Sequence, residues 1–587
     1  MSERRIGGFS NLLQALEYAA GVPDQPLCWF DTNGRLQHRL TYGQILEKTR
    51  LYAAGLERRM DGAARHGKPS GMGPRIGIIA VTGPDFLPAF CASLWVGGIA
   101  CPLPVPGPLQ DLSRYSQALA NMCAAAGISM LLGPGQLLER LRVEDGLGSV
   151  GMLAWEDLAA PAAAAAKAPA MPADVVPDAI AYVQFSSGST GQPKGIAISH
   201  AALMHNIDAI LGAGMALRPE DRAFSWLPYY HDMGLVGFVL APLCGQVSVD
   251  YLAPSAFARR PRLWPALMAE HRSTITYAPP FAWQMAASCA ASLASGARLD
   301  ALRIAGVGGD YIDYTALQAF ARAFAEHGFN AHAFKPSYGL AEATLAVTMS
   351  DASFEKLRAC FRIDEASCAH EAHASDDGAR PLVSCGRPLP GWMLLVSDGN
   401  GRMLPAGTEG EISVRGPAQL SGYFCGGVLR AAAQGESVET GDRGFVSADG
   451  ALYVTGRSKD LIVVNGRNVW PLDVELAASE EAGIAREHMQ LLPPPWPPRA
   501  QAGPFSGPSP ALVLLLHEKA VRQSCRQDAL KRAAAAATAA AGSRVRACMV
   551  PNGTIAFTSS GKKARASTLA RFENAQIPVL ADSEQPD

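Results

Sequence analysis

The stretch Tyr182 to His200 (YVQFSSGSTGQPKGIAISH) concentrates groups that handle phosphate. Ser186, Ser187, Ser189 and Thr190 supply hydroxyls, Gly188 and Gly191 leave backbone N–H groups open, and Lys194 adds a point charge. Glycine lets the main chain approach anionic oxygens, and hydroxyl and amide donors satisfy them, so the chemistry indicated is polyphosphate binding. The loop is not of Walker A type, which ends in Gly-Lys-Ser/Thr and opens a helix. Here Lys194 is followed by Gly195 and a β-prone run. An amidase-type serine hydrolase also carries Ser-Ser-Gly-Ser, but it does not require the Pro193-Lys194-Gly195 tail, and no G-x-S-x-G elbow occurs elsewhere.

The elements that position this loop are legible as apolar runs. Ala179 to Phe185 and Ile196 to Ile198 read as strands flanking it. Upstream, Leu12 to Ala20 has helical spacing with Ser10 as N-cap, and Thr41 caps a second helix that buries Ile45 and Tyr52. Arg75 to Val81, Phe86 to Trp95 and Ala100 to Val105 follow the strand–helix–strand rhythm of a parallel sheet. Downstream, Ala223 to Pro228, Thr274 to Ala278, Leu302 to Val307 and Ala333 to Ser337 read as strands. They deliver His231-Asp232-Met233-Gly234, Pro279-Pro280-Phe281, Gly308-Gly309-Asp310 and Tyr338-Gly339-Leu340-Ala341-Glu342-Ala343-Thr344. In open α/β sheets ligands sit beyond the carboxyl ends of the strands, so these motifs are expected to converge. Met349 to Ser384 is polar and weakly periodic; its Cys368, His370, His373 and Asp376 mimic a metal cluster but lack a second ligand pair at finger spacing. Short alternating runs at Met393 to Val396 and Gly410 to Arg415 indicate a small β-subdomain, and Gly456-Arg457-Ser458-Lys459-Asp460 marks the start of a C-terminal domain.

At 587 residues the chain exceeds one core. The expected class is α/β: a large N-terminal domain of stacked mixed and parallel sheets over 1–456, and a small mobile α+β domain over 457–587. Within the first lie the insertion, about 349–384, and the β-subdomain, about 385–456. A formal charge of −2 gives no general affinity for nucleic acid. Twelve cysteines without a C-x-x-C pair, no signal-peptide pattern and no apolar run near the ~20 residues of a membrane span lead to a cytoplasmic expectation.

The phosphate loop, Tyr-Gly-Leu-Ala-Glu, Thr440-Gly441-Asp442-Arg443-Gly444, Gly-Arg-Ser-Lys-Asp and Ser559-Ser560-Gly561-Lys562 stand in the order of the adenylate-forming superfamily, and the chain resembles it over almost its whole length. It looks most like a fatty acyl-AMP ligase. The features shared are His231-Asp232-Met233-Gly234-Leu235-Val236-Gly237 with its apolar continuation, Ala343-Thr344-Leu345-Ala346-Val347, and the insertion before Cys385-Gly386-Arg387-Pro388. The resemblance implies attack of a fatty acid carboxylate on ATP with Mg²⁺, then transfer to the phosphopantetheine thiol of an acyl carrier protein, by a monomer. It implies Glu342 and Thr190 at the metal. Ser186, Ser187, Gly188, Ser189, Thr190, Gly191 and Lys194 take the phosphates, and Asp442 with Arg457 the ribose. Tyr338, Gly339, Gly309 and Asp310 surround the adenine, and Lys459 is the hinge. Lys562 bridges carboxylate and α-phosphate, while Lys563 falls where the family has an apolar residue. His231, Asp232, Met233, Gly234, Phe281, Ala343 and Thr344 line the acid site, with Trp283 extending its apolar wall. The insertion restricts domain motion, making coenzyme A a poor acceptor. A fatty acid–CoA ligase, an amino-acid adenylating enzyme that uses Asp232 for the ammonium, and a silent adenylate-binding module are the alternatives.

Overall fold

The computed structural model describes residues 5–23, 25–60, 72–107, 110–158, 175–187, 193–364, 367–373, 380–433, 435–464, 467–493, 512–557, 563–574 and 576–584. Two large sheets dominate it. One runs, in spatial order, Val428–Ala431, Gly422–Cys425, Pro193–Ser199, Ile180–Ser187, Ile99–Leu103, Arg75–Ile79, Met130–Gly133 and Gly151–Ala154. The other runs Arg387–Pro388, Ala346–Met349, Phe334–Gly339, Ile304–Val307, Ile275–Ala278, Arg222–Ser225, Ser248–Leu252, Pro26–Phe30 and Leu36–Thr41. The middle strands of both are parallel, as crossover helices require; antiparallel strands close both edges of the second sheet and one edge of the first, whose other edge strand, Gly151–Ala154, pairs parallel.

Alternation along the strands sorts side chains into layers. Ile76, Ile78 and Tyr182 face a core shared with Phe224, Val249 and Ile304 of the second sheet, whereas Ile79, Cys101 and Val183 turn to the other face. The helix Phe86–Trp95 is apolar all round and every residue in it is buried, the pattern of a helix packed on all sides.

Local chemistry sets the helix ends. Thr41 accepts from Gln44 N–H at 3.2 Å and its own N–H donates to the Gln44 side chain at 2.9 Å, a reciprocal capping box. The first helix, Leu12–Ala20, is capped by Asn11, not Ser10: the Asn11 carbonyl oxygen takes both Leu13 and Gln14 N–H groups. An amide at the cap reaches two donors, and Ser10, one residue earlier, lies outside that geometry.

A four-stranded antiparallel sheet (Met393–Ser397, Gly410–Arg415, Val438–Val446, Leu452–Arg457) follows the second large sheet. The polar stretch after Met349 carries more order than its weak periodicity indicates. Arg358–Ile363, Ala369–Glu371 and Arg380–Val383 form a sheet of their own, pinned by Phe361 and Leu382 against Phe445 and Tyr453. Its His370 is paired with Asp364 at 2.9 Å, and among the described residues no three His, Cys, Asp or Glu side chains gather as a metal site. Asp376 lies outside the described residues.

From Ile462 onward the chain builds a separate core around Val474, Leu514, Leu530 and Met549. It comprises the helices Pro471–Ala482 and Arg526–Ala541 on a sheet of Met489–Leu492, Leu512–His517, Val545–Val550 and Ala581–Asp582. The whole is an α/β fold with a large N-terminal and a small C-terminal domain, and no described helix is long and apolar enough to cross a membrane. Thr41→Ala, which removes one arm of the capping box, is expected to lower stability by ~1 kcal/mol in denaturant unfolding followed by circular dichroism.

Candidate active site

The strands Ile180–Ser187 and Pro193–Ser199 pair antiparallel, Ser186 opposite Lys194 and Ser187 opposite Pro193, so the two ends of the phosphate motif are held side by side. Gly188, Ser189, Thr190 and Gly191 lie outside the described residues; Ser186 and Lys194 flank them in the paired strands. Lys194 is exposed, and its ammonium sits 5.7 Å from the centre of the Tyr423 ring. Tyr423 belongs to the neighbouring strand Gly422–Cys425, and its hydroxyl donates to Glu342 Oε1 at 3.5 Å.

Glu342 comes from the other sheet. It sits on the short turn Ala341–Ala343 after the strand Phe334–Gly339, and its carbonyl accepts from Leu420 N–H at 2.8 Å. That turn needs glycine before it, because a side chain at Gly339 would meet the Leu345 carbonyl at 1.7 Å. Thr344 has φ +67° and turns its buried hydroxyl onto the Ala418 carbonyl at 2.7 Å; Ala343 is equally buried. These two shape the turn from beneath, and the Thr344 hydroxyl is committed away from the cleft.

Asp442 ties the third element in. One of its oxygens accepts from the Tyr338 hydroxyl at 2.8 Å and the other from Arg457 Nε at 3.0 Å. Asp442 and Arg457 are direct cross-strand partners, so sheet register alone brings them together. Lys459, on the next turn, is exposed. Asp310 is exposed beside Gly309, accepts from Tyr311 N–H at 2.8 Å, and contributes with Asp442 and Asp460 to holding Arg457 protonated. Gly309 abuts the acid side: a side chain there would meet Met233 Cε at 3.4 Å.

His231 Nδ1 lies 2.6 Å from Asp232 Oδ1, which also accepts from Met233 N–H at 2.7 Å. Gly234 is required because a side chain there would meet the Pro228 carbonyl at 2.2 Å. Gly234 lies within Asp232–Leu235, and a π-turn Val236–Leu240 and Ala241–Gly245 run on from it as largely buried helix. A small apolar recess lined by Leu211, Met215, Leu217, Phe238 and Val247 adjoins Gly237. Phe281 packs edge-on to Trp226 and is half-buried. Trp283 is no wall residue: it is wholly buried against Trp264, Phe320 and Phe334, because the helix Pro280–Ala287 turns that face to the core. Two partners escaped the sequence reading. Tyr423 has no motif to mark it. Gln184 is a polar residue in a buried strand, and its amide donates to the Tyr230 carbonyl ahead of His231.

The cleft is short of positive charge around Glu342. Burial raises its carboxyl above the usual range and Asp232 raises it further, against the pull of its own N–H, Tyr423 and Arg457. A half-buried carboxylate offering hard oxygen donors suits a small divalent cation. Asp232→Asn is therefore expected to lower the Glu342 pKa, and Arg457→Leu to raise it, in a carbon-13 NMR titration of labelled glutamate; opposite signs would break the electrostatic account. Lys562 lies outside the described residues, while Lys563 is buried in the C-terminal domain and bonded to Glu475 at 2.6 Å.

Comparison with known proteins agrees with this arrangement. The family model described as AMP-binding enzyme matches residues 16–424. A relative from Caulobacter vibrioides, named "Putative acyl-CoA synthetase", is 37% identical over 487 residues, covering 81% of this chain and 82% of its own. The long-chain-fatty-acid–AMP ligase FadD32 of Mycolicibacterium smegmatis is 30% identical over 475 residues, covering 76% and 73%. A solved chain from a study of fatty acyl-adenylate ligases of E. coli and L. pneumophila matches with a TM-score of 0.84 at 30% identity, over 97% of this chain and 99% of that one. With a family model spanning well over half its length and a cleft that joins Lys194, Glu342, Arg457 and Asp442, this chain belongs to the AMP-binding enzymes, the superfamily that activates acids as adenylates.

Proposed function

We propose that this enzyme activates a fatty acid as its acyl-adenylate and passes the acyl group to the phosphopantetheine thiol of an acyl carrier protein. The observation that carries the first half is the single cleft in which Tyr423 links Lys194 to Glu342 and Asp442 links Tyr338 to Arg457. A carboxylate oxygen attacks the α-phosphorus of ATP, the P–O bond to the β-phosphate breaks, and pyrophosphate leaves. Negative charge concentrates in that transition state, so cations fixed in advance dominate the catalysis. The Ser/Gly-rich motif from Ser186 to Gly191 cradles the phosphates, Lys194 stands beside it, and Asp442 takes the ribose hydroxyls beside Arg457. Tyr338 and Gly339 hold one face of the adenine, and Gly309 with Asp310 the other. Glu342, with Thr190, would hold Mg²⁺, which supplies charge neutralisation at the phosphates. Lys562, carried by a mobile domain that begins at 457 and swings about Lys459, bridges acyl carboxylate and α-phosphate.

The acid is read as a fatty acid because Asp232 is already engaged by His231 and Met233 N–H, which leaves it poorly placed to bind an amino group. The apolar helix after Gly234 and the recess beside it supply a lining for an alkyl chain. The names of FadD32 and of the fatty acyl-adenylate ligases point the same way. Carrier transfer rests on the resemblance of the insertion to that of the fatty acyl-AMP ligases; in this chain the insertion folds as a sheet packed on Phe445 and Tyr453. The Caulobacter relative's name favours a second reading, transfer to coenzyme A.

ATP–pyrophosphate exchange with a mixed fatty-acid pool is expected to proceed, to be abolished by EDTA and restored by Mg²⁺, and to fall by about 100-fold or more in Lys562→Ala. Mass spectrometry identifies the acyl-adenylate. Rapid thioester formation with coenzyme A, and none with a phosphopantetheinylated carrier protein, would replace the carrier assignment with the second reading.

A further inference from the structure

Lys563 occupies a built position. Its ammonium donates to Glu475 Oε2 at 2.6 Å and to the Arg486 carbonyl at 2.8 Å. Glu475 is fully buried, and its other oxygen accepts from Arg565 at 2.6 Å and from Leu491 N–H at 2.9 Å. A second set of bonds fixes the backbone around it. Phe557 and Lys563 form an isolated antiparallel bridge, and Ala564 N–H donates to the Ala556 carbonyl at 2.7 Å. Ile555 N–H donates to His517 Nε2 at 3.3 Å and Ala556 N–H to Thr568 Oγ1 at 2.9 Å. Residues 557 and 563 are thus held as a pair on either side of the Ser-Ser-Gly-Lys motif.

We propose that Lys563 is a positioning residue for adenylation: clasped by Glu475 and the Arg486 carbonyl, its ammonium sets the base from which Lys562 reaches the reacting groups. The proposal rests on the assignment of Lys562 as the bridging lysine. Arg565 and Glu475 alone would anchor the following helix, Arg565–Glu573; only Lys563 carries the clasp onto the residue adjoining Lys562. Removing one partner of a buried ion pair leaves the other uncompensated, so the clasp resists being opened.

The surroundings make the clasp pH-dependent. Glu475 of the helix Pro471–Ala482, Arg486 and His488 of the next turn, His517 at a strand end and Arg565 are the titratable and charged groups that face Lys563. Burial alone would raise Glu475, but Arg565, Lys563 and Arg486 together hold it at about 2. Burial, His488 and Lys563 push His517 down to about 4, so it is neutral and accepts from Ile555. One carboxylate is shared among three cations, and guanidinium groups keep their protons, so lysine is the group that yields: burial pushes Lys563 from 10.5 down to about 8. The charged clasp is present below about 8 and lost above it. Between about 8 and 10.5 the unfolded chain binds the extra proton, so this titration does not lower global stability there. Activity falling in that window without a falling unfolding midpoint is a signature that a merely structural pair lacks.

The test measures kcat and KM for ATP–pyrophosphate exchange by the full chain from pH 6.5 to 10, with the unfolding midpoint at each pH. In wild type, kcat falls above about pH 8 while the midpoint holds. K563R keeps at least half the neutral-pH rate and shifts the alkaline limb up by about one unit or more, because arginine does not titrate there. K563M lowers kcat by about 10- to 100-fold with both KM values within about twofold of wild type. Wild-type kcat in K563M, or an unmoved alkaline limb in K563R, overturns the proposal; the K563R profile decides it even if K563M does not fold. Wild-type exchange in K562A instead overturns the bridging-lysine assignment beneath it.

Discussion

Three carboxylates and one guanidinium meet where the two large sheets and the small four-stranded sheet come together, and their balance sets the charge there. Arg457 pairs with Asp442 at 3.0 Å and also pulls on Glu342, while Asp232 pushes on Glu342 from the acid side. Burial and Asp232 raise the Glu342 carboxyl, whereas both Asp442 oxygens are engaged, by Tyr338 and by Arg457. On the proposed function, that asymmetry suits a polyphosphate with its cation at one end and neutral hydroxyls at the other. Each participant arrives on a different element, so the sheets must hold their separation for the charges to meet. The shared core and the wholly buried helix Phe86–Trp95 maintain it.

Much of this was readable from residue order. The helices Leu12–Ala20 and Phe86–Trp95 and the strand Gly410–Arg415 fall where periodicity places them, since each is a local pattern with a buried face. The errors have physical reasons. Asn11 displaced Ser10 as cap because both residue types cap and only geometry separates neighbours. The sheet in the insertion was missed because it rests on a few scattered apolar residues, Phe361 and Leu382, whose partners lie far along the chain. Trp283 illustrates a limit of pattern reading: an aromatic in a short helix is equally compatible with a pocket and with the core, and packing decides.

The motifs mark Lys194, Glu342 and Asp442 as candidates, and the fold brings these three near one another, but nothing in the order of residues links Tyr423 to Glu342 or Lys563 to Glu475. Those contacts span 81 and 88 positions. The long-range polar pairs are what tune each motif's chemistry, and they require the folded chain. The same holds for the apolar recess by Gly237, which depends on residues from three separate segments.

Asp442 has a consequence of its own. Its two oxygens are committed to Tyr338, on the last parallel strand, and to Arg457, the residue from which the chain leaves for its smaller lobe. On the proposed function, sugar hydroxyls arriving at that carboxylate compete with both bonds or realign them. Nucleotide occupancy and the stance of the departing segment would then be thermodynamically linked, and reciprocally so: a swing of the smaller lobe would change how tightly the sugar is held.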